Sequence, residues 1–170
     1  MMSTLDLIQG VLLLHPPSRT LFAREIYMNL LLDLLDPINC PAIQSATLLT
    51  LVTALLDNPA NTRAFEDLDG LLTVTSLFKL RTTSREVKLK LVEFLYFYLM
   101  PETPQQNDLM RSPSKRSSAA LGKSNSSNTN NAKDTRTTDE KQALLGRYLN
   151  NVEDLVEDLK ETAPFGATVY

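Results

Sequence analysis

Nine prolines punctuate this 170-residue chain, and where they fall limits it to helices of modest length. A proline lacks the N–H that an interior helical turn needs, and it pushes the residue before it out of the α region. Between the prolines of the first hundred residues, apolar side chains recur every three or four positions. That is the period of a helix with one buried face.

Ser3 can cap a first helix carrying Leu5, Ile8, Val11 and Leu12, which His15-Pro16-Pro17 must end. Ser18 can cap a second that runs to about Leu35, before Asp36-Pro37. Pro41 suits the first position of a third helix reaching Leu56. Its apolar residues cover most of the circumference, so burial on most sides is expected. Asn58-Pro59 reads as a cap and first-turn proline for a short helix through Phe65. After Asp69-Gly70, Leu71, Leu72, Val74, Leu77 and Phe78 predict another helix. Thr83-Ser84-Arg85-Glu86 is a capping-box sequence opening an aromatic-rich helix that ends before Pro101.

Composition changes after residue 100. Residues 101–137 are rich in Ser, Asn and Thr and hold few isolated apolar residues. Such a segment buries too little apolar surface to offset the entropy of ordering and is expected to be a disordered linker. Thr137-Thr138-Asp139-Glu140 is a second capping box. Behind it Leu145, Tyr148, Val152, Leu155 and Leu159 predict one amphipathic helix of about six turns over 138–162, with a tail at 163–170. The expected fold is all-α: antiparallel helical hairpins over 1–100 in an armadillo/HEAT-like α-solenoid, and a C-terminal helix docking on them from across the linker.

Catalytic chemistry finds little footing. His15 is the single histidine and Cys40 the single cysteine, so a histidine metal cluster and an intramolecular disulfide are both excluded. A reducing compartment is the expectation. Gly122-Lys123-Ser124 matches the tail of a phosphate loop but lacks its first glycine. Paired carboxylates such as Glu157 and Asp158 suit solvated helix faces. No cofactor or small-molecule substrate is expected. A net charge of −3 gives no case for nucleic acid. No apolar run approaches the ~20 residues of a membrane span, and the N-terminus lacks the basic head of a signal peptide, so a cytoplasmic location is expected.

Three features suggest interaction instead. Lys79, Arg81, Arg85, Lys88 and Lys90 form a basic ridge, with Arg81, Arg85 and Lys88 at helical spacing, suited to an acidic partner segment. Phe94 to Leu99 cannot all face one side of a helix. Tyr96 and Tyr98, apolar rings with a hydroxyl to leave wet, are the candidates for an interface. Ser112-Pro113-Ser114-Lys115 is a full proline-directed kinase consensus and Thr103-Pro104 a minimal one, making Ser112 and Thr103 candidate phosphorylation sites.

Two segments carry a resemblance to a known family. Val87-Lys88-Leu89-Lys90-Leu91-Val92-Glu93-Phe94-Leu95-Tyr96-Phe97-Tyr98-Leu99-Met100-Pro101-Glu102 is one. The other runs from Lys141 to Gly166, with Asn151-Val152-Glu153-Asp154-Leu155-Val156 and a closing Pro164-Phe165-Gly166. Both resemble the fungal cell division control protein fourteen family of the septation initiation network, which is distinct from the phosphatase sharing that name. The resemblance implies a non-catalytic regulatory subunit that binds a sterile-twenty-like (germinal-centre-type) protein kinase. It also implies recruitment to the spindle pole body, so that septum formation and cytokinesis follow mitosis. A general armadillo-like adaptor, binding a peptide or helix of an unrelated partner, is the alternative reading.

Overall fold

The prolines act where their chemistry requires. In the computed structural model, which describes residues 2–102, 135–153 and 157, helix α1 spans Met2–Leu14 and stops ahead of Pro16-Pro17. The next element is a 3-10 segment, Pro16–Ala23, in place of the expected start of a long second helix. Arg24, extended at φ −84 and ψ 129, separates it from α2, Glu25–Asp33.

The reason for this break is tertiary. Arg19 is drawn inside, 8% exposed. Its Nε donates to Leu12 O at 3.0 Å and its Nη1 to Leu56 O at 2.9 Å. One guanidinium thus satisfies carbonyls at the C-terminal ends of two helices, where a cation is also favoured by the dipole. Asn61, fully buried, donates from Nδ2 to Arg19 O and Ala54 O.

Helix α3, Pro41–Leu55, is the centre of the body and packs against both α1 and the aromatic-rich helix that begins at Arg85. Leu48, Leu51 and Ala54 are buried, and so are Thr47, Thr50 and Thr53. These threonines can enter the core because each hydroxyl donates to the carbonyl four residues earlier, at 2.8–2.9 Å. Helix α4, Pro59–Asp67, opens with the Asn58 side chain accepting from Asn61 N. Helix α5, Gly70–Lys79, follows Asp69 at φ 58. Helix α6, Arg85–Leu99, is capped by Ser84, whose side chain accepts from Val87 N. Thr83, the expected cap, donates instead to Leu77 O at 2.7 Å and ties the α5–α6 turn to the helix before it.

Helix α7, Thr138–Leu145, begins with the expected capping box of Thr137 and Glu140. It packs on α6 and stops at Gly146. A turn follows, with helical residues again at 152–153 and 157, so the single long helix predicted over 138–162 is interrupted. A glycine favours a helix end because it loses the most backbone freedom inside one. Leu145 and Val152 are nevertheless both buried. The described residues are helices and turns without a strand, an all-α architecture. No helix among them is long and apolar enough to cross a membrane.

Candidate partner-binding surface

Helix α6 sorts its side chains by angular position. Val87, Leu91, Phe94, Leu95, Tyr98 and Leu99 face the core. Phe65 of α4 lies between two of them, with ring centroids 5.6 Å from Phe94 and 6.3 Å from Tyr98. The exposed residues are Arg85, Glu86, Leu89 and Glu93, and between them and the core runs a stripe at intervals of four, three and four residues: Arg85, Leu89, Val92 and Tyr96. Leu89 on it is 60% exposed, while Val92 and Tyr96 are half-buried. Phe78 of α5 joins Arg85, Glu86, Lys88, Leu89 and Val92 around a shallow depression of about 540 Å³.

Arg81 and Arg85 are exposed and Lys88 half-buried at this corner. Lys90 is paired with Glu93 at 2.7 Å. Among the described residues no carboxylate lies within ion-pair distance of Lys79, Arg81, Arg85 or Lys88. Tyr98 is a different case. It is 1% exposed, and its hydroxyl donates to Glu66 Oε1 at 2.7 Å, so it is a core residue rather than one that leaves a hydroxyl in water. Of the two tyrosines, only Tyr96 reaches this face. Thr103 and Ser112 lie outside the described residues.

A second constellation has no sequence motif. Two acids and three bases from distant parts of the chain meet beside Tyr98. Arg63 Nη2 donates to Glu102 Oε1 at 2.6 Å and to Glu66 Oε1 at 3.2 Å. Its Nε is 3.1 Å from Glu66 Oε2, an ion pair without hydrogen-bond alignment. Arg136 Nη1 lies 3.3 Å from Glu66 Oε2, and Lys141 Nζ 3.1 Å from Glu102 Oε1. Lys141 also donates to Met100 O at 2.9 Å and stands over the Tyr98 ring, 5.2 Å from its centroid. Backbone bonds join the same place: Glu102 N donates to Arg136 O, and Arg136 N to Glu102 Oε2. Chain leaving the helical body at Glu102 and chain returning at Arg136 are therefore clasped together.

Burial governs the ionisation of this clasp. It raises the Glu66 carboxyl above its ordinary pKa, outweighing the Tyr98 hydrogen bond and the two guanidinium charges that act to lower it. It raises the Tyr98 phenol, with the Glu66 hydrogen bond and charge adding to the effect. It lowers the Lys141 ammonium despite the neighbouring Glu102. Spacing could not have shown this cluster. Its one sequence signal is that Arg63 and Glu66 stand three apart on a helix, which occurs equally on solvated faces.

His15 Nδ1 and Ser18 Oγ lie 2.7 Å apart on the exposed start of the 3-10 segment. Cys40 is an exposed free cysteine at the entrance of α3. Sequence comparison supplies what geometry does not. Residues 1–165 match the family described as Cell division control protein 14, SIN component. The chain belongs to that family. It is 36% identical over 162 residues to Cell division control protein 14 of Schizosaccharomyces pombe, covering 95% of this chain and 58% of that protein. It thus spans less than three fifths of the length of that relative. No solved structure matches the chain. The two segments that carry the family resemblance meet in the clasp, one through Glu102 and the other through Lys141.

Proposed function

We propose that this member of the SIN-component family is a non-catalytic regulatory subunit that binds a protein kinase of the sterile-twenty type and promotes septation. The family match over residues 1–165 carries the reading. Arg81 in the turn before α6, with Arg85, Lys88 and Tyr96 on it, are the contact residues of this reading, and the exposure of Arg81 and Arg85 supports it. Phosphate transfer belongs to the partner, and this chain needs no cofactor of its own. It works from the cytoplasm and is recruited with the kinase to the spindle pole body.

Isolation of the protein from dividing cells, followed by mass measurement of the intact complex, tests this. The expected mass is that of this chain with a stoichiometric protein kinase. A stable complex that contains no kinase would favour an adaptor for an unrelated helix.

A further inference from the structure

We infer that the α5–α6 corner is a docking surface for an acidic amphipathic helix of a partner protein, laid along α6 with its carboxylates over Arg85 and Lys88. This deepens the partner-binding reading by naming the chemistry of the occupant, and it holds for a kinase or any other protein bearing such a helix.

Three observations carry it. The apolar strip is the right shape: exposed Leu89 and half-buried Val92 follow one another at three residues on a single helix, with Phe78 beside them in the same depression. A second helix presents its own apolar side chains at that same spacing, so the two rows can interdigitate over several turns. The charge is the right sign: Lys79, Arg81, Arg85 and Lys88 make no ion pair among the described residues. The cations of the clasp and of Lys90 are all matched. The pattern also disfavours a polyanion. Glu86 lines the same depression and Glu93 is exposed further along, so a continuous phosphate backbone would meet a carboxylate at each. A helix can instead confine its carboxylates to the end where Lys79, Arg81, Arg85 and Lys88 outnumber Glu86.

The test is fluorescence anisotropy with the full-length protein and three labelled probes. One is an amphipathic peptide of about five helical turns, with leucines at three- and four-residue spacing and glutamates at one end. The second carries lysines in place of the glutamates, and the third is a single-stranded DNA. The glutamate peptide should bind, more weakly as salt is raised. Arg85→Glu with Lys88→Glu should cut its affinity about tenfold or more and flatten the salt dependence. Leu89→Ala should cut affinity while leaving the salt dependence alone. All three side chains are partly or fully exposed, so an unchanged urea midpoint verifies that these variants fold.

Equal binding of the lysine peptide, preference for DNA, or an affinity that neither variant changes would overturn the inference. So would finding that the protein self-associates and that Arg85→Glu abolishes the self-association, since the occupant would then be a second copy. Failure here leaves a co-purified kinase to be placed on another face, and absence of a kinase leaves peptide binding intact, so the two readings fail separately.

Discussion

Gly70 admits no side chain. It begins α5 directly after Asp69, whose φ of 58 turns the chain sharply, and a Cβ at residue 70 would overlap the Phe65 ring and press on the Phe65 carbonyl oxygen. Phe65 cannot yield, since it is fully buried against Phe94 and Tyr98. Gly70→Ala is expected to destabilise by about 2–3 kcal/mol, read as a lower urea midpoint. Arg63 is the other residue whose loss should be felt throughout. It touches both buried carboxylates, and Arg63→Met leaves two acids with less cationic charge than they need. The expected cost is about 3 kcal/mol by equilibrium denaturation. The exposed Lys90–Glu93 pair is the control, where Lys90→Ala should cost under about 1 kcal/mol. Nothing in the neighbours of Arg63 in sequence separates it from Lys90; only the depth of its partners does.

At the scale of elements, the helix starts are governed by caps. Asn58 and Thr137 do what their positions in the sequence imply, because a cap involves groups within about three residues. The start of α6 falls one residue later than expected, with Ser84 as the cap and Thr83 donating to Leu77 O outside its own helix. The α7 box has a pH signature. Hydrogen bonds from the Thr137 backbone and hydroxyl hold the exposed Glu140 carboxyl below its ordinary value of 4.5. Its contribution is therefore complete above that value and lost as pH falls through the lowered one. Hydrogen exchange across the first turn of α7 should accelerate in acid, and Glu140→Gln should remove that dependence. Glu66 acts with the opposite sign. Its carboxyl is raised by burial, so protonation favours the folded state and ionisation opposes it as pH rises above 4.5. An NMR titration of the two carboxyls should find them displaced in opposite directions.

Across the whole molecule the clasp is the feature that unites distant parts of the chain. Glu102 binds Arg63, Lys141 and the Arg136 backbone at once, so it couples α4, the end of α6 and the entry to α7. Glu102→Ala should let α7 detach without unfolding the body. The expected result is amide exchange in Thr138–Leu145 faster by about tenfold or more, with α3 unchanged. Parallel acceleration in α3 would mean that α7 and the body unfold as one unit.

The amino-acid sequence by itself determined the all-helical class, most helix ends and the family, because prolines, caps and apolar periods act over a turn or two of backbone. Tertiary structure decided matters of angle and depth. It left Tyr96 half-buried at the edge of α6 and put Tyr98 in the core, although both are aromatic residues of one helix, because only the neighbours of α6 define which of its sides is inside. It also broke the expected second helix, to place one guanidinium at two helix ends. It assembled the clasp from residues up to 78 positions apart in the chain (Arg63 and Lys141), whose charges act strongly on their partners because folding brings them within 3.3 Å at a partly buried place.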